Sequence, residues 1–266
     1  MSVSWVKFLG TSAGTPTPES WFPSILVFHS GIYALLDAGE GAQIRLLENG
    51  VGPARLDVIA ITHMHGDHLY GLPGLIQSMA MSSRSRELVI LGPRRLGEFL
   101  RSVFKLSEFE PGFPLRVKTP PQTLEVRKGG ARLLIEPFNV CHYSESYGYK
   151  VTGFLRAGSM VERTRFTLAY TGDTRPCEDY LENIRGVDVL IHDSTFSYKE
   201  HGESVWEYGH STAHDAGKVA LTAGAGLLVL FHKSVRYKDS GWKLLEEAKK
   251  IFENTILAED GMTLYL

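Results

Sequence analysis

The sequence predicts an α/β chain in which two facing mixed β-sheets are covered on their outer sides by helices. Three observations predict it. Short β-rich runs alternate with helical ones; a second stretch of strands and helices begins near Arg132; and no Pro/Gly/Ser linker long enough to separate independent domains interrupts the 266 residues. A sheet has one face and a helix one stripe to bury. Two similar halves, about 1–131 and 132–266, are therefore expected to pack sheet against sheet in a single domain.

The elements follow from local pattern. β-rich runs predict strands over Val3 to Leu9, Ser24 to Phe28, Ile32 to Asp37, Leu56 to Thr62, Leu88 to Leu91, Arg132 to Phe138, Phe166 to Thr171, Val187 to His192 and Leu227 to Phe231. Helices are predicted over Gly41 to Asn49, Leu72 to Ser82, Arg94 to Phe104, Thr212 to Ala223 and Trp242 to Asn254. In the fourth, Ala213, Ala216, Ala220 and Ala223 recur at helical spacing behind a Ser211 or Thr212 N-cap. In the fifth, Leu244, Leu245, Ala248, Ile251 and Phe252 form an apolar stripe. Both stripes would lie on a sheet.

Composition narrows the class. With 43% hydrophobic and 22% charged residues, the chain is an ordinary globule and not a disordered segment. The longest apolar run, Gly226 to Phe231, falls far short of the roughly 20 residues of a membrane helix, and Met1 leads into strand-like sequence without a signal-peptide core. A cytoplasmic protein without a membrane partner is expected. Cys141 and Cys177 do not make a disulfide scaffold, and a reducing compartment would keep them as thiols without a structural role. The net charge of −2 argues against indiscriminate adhesion to nucleic acid but averages over the surface. One local cluster is positive: Arg84, Arg86, Arg94, Arg95, Arg101 and Lys105 face only Glu87 and Glu98. Its first reading is a solvated loop and helix face, its second a phosphate-backbone contact.

The segment LDVIAITHMHGDHLYGLPGLI carries the chemistry. A buried strand runs straight into His63, His65, Asp67 and His68, four potential ligands in six positions. Residues two apart in extended chain point to one side, so His63 and His65 can converge on one ion. Asp67 and His68 lie past the Gly66 turn, where the chain can swing them towards a second. Histidine nitrogen with carboxylate oxygen and no paired cysteines favours zinc, with manganese or iron as alternatives. FLGTSAG near the N-terminus lacks the Lys-Ser/Thr ending of a P-loop, which excludes a nucleoside-triphosphatase of that kind.

The HMHGDH string, with FLGTSAG, resembles the metallo-β-lactamase superfamily and, within it, the ribonuclease Z family of tRNA 3′-processing endonucleases. The resemblance implies a metallo-β-lactamase fold, a four-layer αββα sandwich. It carries the remaining ligands onto His142 in NVCHYSESYGYKV, Asp173 in TGDT and His232 in VLFHKSVRY, where Lys233 replaces the family's usual Phe. The implied site has two zinc ions per chain: His63, His65 and His142 on one, Asp67, His68 and His232 on the other, and Asp173 bridging both. A metal-bound hydroxide would attack the phosphodiester, Asp67 counting in the catalytic set as well as a ligand.

YGHST resembles the family's G-H-S-T string and makes His210 the general acid. Asp193, in HDST, stands where the family has Glu and would hold the imidazole. Arg236, Ser211 and Tyr149 are assigned to substrate by the same resemblance. Two departures bear on the substrate: only about thirty residues separate His142 from Asp173 where many members carry a long basic arm, and PTPESWFP replaces a loop of polar substrate contacts. Arg156, Arg163 and Arg165 would form a short basic hairpin or a turn between two strands. The leading expectation is an endoribonuclease that removes the 3′ trailer of precursor tRNA, as a homodimer joined near GLPGLIQSMAMSS. The alternatives are a related small-molecule or cyclic-nucleotide phosphodiesterase and a non-catalytic metal-binding protein.

Overall fold

The computed structural model describes residues 3–142, 145–157 and 161–266. In chain order the first part comprises β1 (Ser4–Gly10), β2 (Ser12–Ala13), β3 (Ser24–His29), β4 (Ile32–Leu36), α1 (Ala42–Glu48), β5 (Val58–Ala60), α2 (Gly66–Leu69), α3 (Gly71–Met81), β6 (Leu88–Leu91), α4 (Leu96–Leu106) and β7 (Leu115–Lys118). The second comprises β8 (Leu124–Lys128), β9 (Ala131–Asn139), β10 (Tyr147–Ala157), β11 (Val161–Tyr170), α5 (Leu181–Ile184), β12 (Val189–Asp193), α6 (Tyr198–His201), α7 (Ala213–Ala223), β13 (Leu227–Phe231), β14 (Lys233–Ser234), α8 (Trp242–Lys249), β15 (Thr255–Leu257) and β16 (Thr263–Tyr265).

Two seven-stranded sheets form, in the orders β16-β1-β3-β4-β5-β6-β7 and β15-β13-β12-β11-β10-β9-β8. Each is mixed. β16, β1, β3 and β4 pair antiparallel and β4 to β7 parallel; β8 to β11 pair antiparallel and β11, β12, β13 and β15 parallel. The strands do not divide at residue 131. Leu124–Lys128 already belongs to the second sheet, and Thr263–Tyr265 returns to the first, where it pairs with β1.

The period-two alternation of the strands builds three apolar layers. Ile25 and Val27 of β3 and Val58 and Ala60 of β5 face the second sheet, meeting Leu133, Tyr149 and Phe231, while Leu26 and Ile59 face the helices. On the outer side of the first sheet, Leu72, Leu75, Ile76 and Met79 of α3 pack with Leu46 and Leu100. On the second, the alanines of α7 pack with Leu190, Leu228, Leu230, Leu244 and Ala248. Each fully buried Leu or Ile contributes roughly 1.5–3 kcal/mol. α7 starts at a capping box, Thr212 accepting from the Asp215 N–H while Asp215 accepts from the Thr212 N–H, and stops at Gly224 at φ 64°. The apolar face of α3 is thus core.

Two further points differ from expectation. β10, unassigned in the sequence, pairs with both β9 and β11; this makes GFLRAGSMVERTRF the hairpin that was one of its two expected forms, and its tip, residues 158–160, lies outside the described residues. Its mixed small, polar and aromatic residues hid a strand whose neighbours supply its stability. Cys141 and Cys177 are disulfide-bonded, with Cα atoms 6.4 Å apart and a sequence separation of 36. Composition and compartment say nothing of proximity. The Arg175 N–H donates to the Cys141 carbonyl at 2.9 Å and Thr174 Oγ1 accepts from the Cys141 N–H at 3.0 Å, which brings the two segments alongside. Among the described residues no helix is long and apolar enough to cross a membrane.

Candidate metal centre

The predicted ligands sit where strands end. The segment after β5 carries His63, His65, Asp67 and His68; the turn between β9 and β10 carries His142; β11 leads to Asp173, β12 ends on Asp193, and β13 leads to His232. Parallel strands put their C-terminal ends at one edge of a sheet, so residues far apart in sequence meet there. Tyr147 N–H donating to the Thr62 carbonyl at 3.0 Å, and the two-stranded pairing of β2 with β14, join the halves around the site.

All seven predicted ligands meet. His63, His65, His142 and Asp173 form one group, Asp67, His68 and His232 another, and ligand atoms within each group lie within 4.8 Å of one another. Asp173 stands between them: Oδ2 is 3.6 Å from His63 Nε2, and Oδ1 is 3.3 Å from His68 Nε2 and 3.4 Å from His232 Nε2. Asp67 Oδ2 lies 3.5 Å from His232 Nε2 and 3.8 Å from His68 Nε2.

The surroundings turn these atoms inward. His68 Nδ1–H donates to Asp37 Oδ2 at 2.7 Å, His63 Nδ1–H to Thr62 Oγ1 at 2.9 Å, His142 Nδ1–H to the Gly209 carbonyl at 2.8 Å and His232 Nδ1–H to Thr195 Oγ1 at 2.9 Å. With Nδ1 protonated, each Nε2 presents a lone pair to the cluster, the arrangement of metal-ligating histidine. His68 Nε2 and His232 Nε2 face each other at 3.3 Å, and His142 Nε2 and His65 Nδ1 at 3.2 Å. Buried His63 Nε2 and Asp173 Oδ1 have no hydrogen-bond partner. Opposed lone pairs and orphaned acceptors need cations between them, so the residues present fit a divalent metal pair.

Electrostatics set the histidines apart: burial lowers His68, but Asp173, Asp37 and Asp67 outweigh it and push it well above the usual histidine range, a demand for positive charge among these carboxylates. Burial, then neighbouring His68, holds His63 well below the usual histidine range and so neutral. Burial pushes Asp173 up, but His232 and His68 more than offset it and keep the carboxylate ionised. Asp37 and His232 adopt left-handed backbone, φ 57° and 61°, conformations that non-glycine residues hold where surrounding contacts over-determine them.

His210 belongs to neither of these two groups, its ring 5.3 Å from His142 and 5.4 Å from His232. Its ligand atom also lies within 4.8 Å of those of Asp173, Asp193 and His232, but its Nδ1 is taken by Asp193. Its Nδ1–H donates directly to Asp193 Oδ2 at 2.8 Å, so the shorter Asp side chain reaches without a bridging water. Burial opposes the imidazolium; the Asp193 carboxylate outweighs it and pushes His210 up to about 9. Asp193 Oδ1 also accepts from Thr195 Oγ1 at 2.7 Å, which ties the His210 support to the His232 support.

Not every assignment reaches the cleft. Tyr149 is fully buried and donates to the Ile61 carbonyl at 2.5 Å; Ser211 is fully buried and donates to the Thr174 carbonyl at 2.7 Å. Both lie beneath the site and cannot touch a substrate. Arg236 is exposed, its guanidinium 6.0 Å from the Phe196 ring. Asp37, Thr62, Thr195 and Tyr170, whose hydroxyl donates to Asp37 at 2.8 Å, escaped sequence reasoning. An Asp closing a strand in LLDAGEG was the available signal, but its role depends on a contact 31 residues away with His68.

The basic residues part company. Arg84 is buried and donates to the carbonyls of Ala54 and Leu56 at 2.9 and 2.7 Å, and Arg86 pairs with Asp57, at the strand ends remote from the ligands. Arg156 and Arg163 face each other's strands near the far end of the β10–β11 hairpin, some ten residues from the ligand end. At about 3.3 Å per residue that is on the order of 30 Å from the site. Arg94 and Arg95, following β6, remain at the ligand edge.

A family model described as the beta-lactamase superfamily domain matches residues 33–233. Ribonuclease Z of Sulfurisphaera tokodaii is 36% identical over 291 aligned positions, covering 96% of this chain and 95% of its own. Ribonuclease Z of Saccharolobus islandicus is 38% identical over 292 positions, covering 96% and 97%. Human tRNase Z, short form, superposes with a TM-score of 0.76 at 25% identity over 98% of both chains. The metallo-beta-lactamase fold protein YhfI of Bacillus subtilis, at TM-score 0.78 and 22% identity over 99% and 100%, shares the fold. With matched spans that run nearly end to end, the chain belongs to the ribonuclease Z family of the beta-lactamase superfamily and has the metallo-β-lactamase fold.

Proposed function

We propose that this protein is a dinuclear zinc endoribonuclease that removes the 3′ trailer from precursor tRNA in the cytoplasm. One observation carries the reading: a two-lobed ligand cluster bridged by Asp173, with the His210–Asp193 pair at its rim. His63, His65, His142 and Asp173 would hold one ion, and Asp67, His68, His232 and Asp173 the other. When bound, the pair supplies an activated water and charge neutralisation at the phosphoryl oxygens.

The chain's own residues do the rest. Asp67 Oδ2, accepting from the Gly14 N–H at 3.0 Å, fixes the N-terminal loop against the site. Water oxygen bonds to phosphorus and gives up a proton, which through solvent restores His210 for the next turnover, and the bond from phosphorus to the ribose 3′ oxygen breaks. His210, with Nδ1 committed to Asp193, delivers its Nε2 proton to that oxygen. The tRNA leaves with a 3′ hydroxyl and the trailer keeps the phosphate. Arg236 is an exposed cation whose guanidinium lies 6.0 Å from the Phe196 ring, itself 6.2 Å from the His210 ring, and it would meet a backbone phosphate.

A related small-molecule or cyclic-nucleotide phosphodiesterase is the second reading, favoured by the remoteness of the basic hairpin from the ligands. The 291 positions aligned with the Sulfurisphaera relative exceed this chain's 266 residues, so that relative carries segments absent here. A homodimer, expected by resemblance near α3, would use the exposed side of that helix, where Met81 is 74% exposed, or Ile44 and Leu47 of α1, 45% and 59% exposed; a light-scattering mass tests it. Zinc-loaded protein incubated with end-labelled, 3′-extended precursor tRNA is expected to cut just past the acceptor stem. Hydrolysis of a small aryl phosphodiester with intact precursor would move the protein to the second reading.

A further inference from the structure

We infer that a ledge formed by Tyr70, Phe99, Met64 and Arg95, on the first-half rim of the metal centre, binds unpaired RNA nucleotides on the phosphate-keeping side of the scissile bond. The inference rests on the endoribonuclease reading and assigns the trailer to a surface of this chain.

Met64 lies between ligands His63 and His65 and, with Arg95, Glu98, Phe99 and Ser102, lines a cavity of about 350 Å³. Tyr70, directly after α2, is 64% exposed although it is a large aromatic residue. Its ring lies against Gly66, where any added Cβ would overlap it, and stacks on Phe99 with centroids 6.4 Å apart at 20°. Tyr70 therefore belongs to the segment that carries the ligands, and Phe99 meets it from α4. Arg95 is exposed and has no ion pair among the described residues; Arg94, whose side chain is 81% exposed, stands 3.7 Å from Glu145.

Chemistry selects the occupant. An exposed aromatic ring, backed by the half-buried Phe99 and flanked by the guanidinium of Arg95, suits a chain offering flat bases and a repeating anion, as single-stranded RNA does. A duplex keeps its bases stacked on one another and gives such rings nothing. Glu98 adds a negative charge to the cavity, so the phosphates are placed at Arg95 and the base edges, with their amino donors, towards Glu98.

Position selects the side of the break. Ring to ring, His210 is 5.3 Å from His142, and His142 is 5.0 Å from His65, beyond which Met64 and the ledge begin. His210 protonates the departing 3′ oxygen, so the tRNA nucleoside bearing that oxygen lies at the second-half rim. The strand that retains the phosphate leaves across the first-half rim, onto the ledge.

The test measures KM and kcat for precursors with a long unstructured trailer, carrying normal or abasic nucleotides, alongside anisotropy of a labelled single-stranded oligoribonucleotide, which needs no turnover. Tyr70→Ala is expected to raise KM about tenfold with little change in kcat, and to weaken oligonucleotide binding as much. Wild type given the abasic trailer should fall to the level of Tyr70→Ala, and Tyr70→Phe should behave as wild type. Equal oligonucleotide binding by wild type and Tyr70→Ala overturns the ledge even if precursor tRNA is not cut, whereas a tenfold loss without cleavage supports it and sinks only the tRNA reading. A dimeric mass that becomes monomeric in Tyr70→Ala also overturns it, since the ledge would then be a contact between copies.

Discussion

Asp173 illustrates how a single side chain organises the site. Its oxygens face opposite lobes, His63 on one side and His68 with His232 on the other. Asp67 serves one lobe, and His210 contacts rings of both without a place among the proposed ligands. These positions separate metal holding from proton delivery. Asp67→Ala is expected to lose bound metal together with turnover, whereas His210→Ala should keep its metal content and lose about 10²–10⁴ in kcat; metal analysis beside single-turnover kinetics distinguishes the two, and an unaltered rate in His210→Ala would refute the acid role. Asp193 is what raises His210, to about 9, against the burial that lowers it. An acid works only while protonated, so activity falls as pH rises through its pKa. Replacing the carboxylate in Asp193→Asn lowers that pKa, and the alkaline limb of the kcat profile is expected to move to lower pH; a limb that stays in place would contradict the coupling.

At the scale of elements, the connections decide the geometry as much as the strands do. Gly209, at φ 69°, lets the chain enter α7 while its carbonyl accepts from His142, and a Cβ there would come within 2.5 Å of His142 Nδ1. The left-handed backbone and the close approach both resist a side chain. Gly209→Ala should displace the His142 ring and weaken metal affinity about 10- to 100-fold, as loss of an orienting partner does, readable by competition with a chelator. The Cys141–Cys177 bond joins the segments that carry His142 and Asp173. Closing a loop with a sequence separation of 36 stabilises by about 2–4 kcal/mol, largely through the unfolded chain. Cys141→Ser should lower the denaturant midpoint and raise the m-value, because the unfolded chain expands once the cross-link is gone; an unchanged midpoint would mean that the bond constrains little.

Across the whole molecule, the metal centre is a seam. The first part of the chain supplies His63, His65, Asp67 and His68, the second His142, Asp173 and His232, and both sets converge only when the two sheets pack through Phe8, Ile25, Tyr149 and Phe231. Histidines and carboxylates crowded without cations oppose that packing, and ions bound only by the folded state favour it. Zinc at a hundred times its dissociation constant should therefore add about 2.7 kcal/mol per site to the folded state, seen as a rise in Tm that a chelator reverses. A Tm indifferent to metal would argue that the cluster binds none.

Much of this was legible in the residues. The alternation of β-rich and helical runs was enough for the nine expected strands and five expected helices to correspond to elements of the structure, because apolar periodicity reports which face must leave water. The HMHGDH string announced metal, since that density of ligand atoms has no common structural use. What remained hidden depended on contacts distant in sequence. Whether Asp193 reaches His210, that Asp37 orients His68, that Ser211 and Tyr149 are buried and that two cysteines meet are all consequences of strand order and loop closure, which local pattern does not encode. The sequence by itself determined the layers and the kinds of ligand; only the tertiary structure decided which atoms face the metals, because that choice is made by hydrogen bonds between segments joined nowhere but in the folded sandwich.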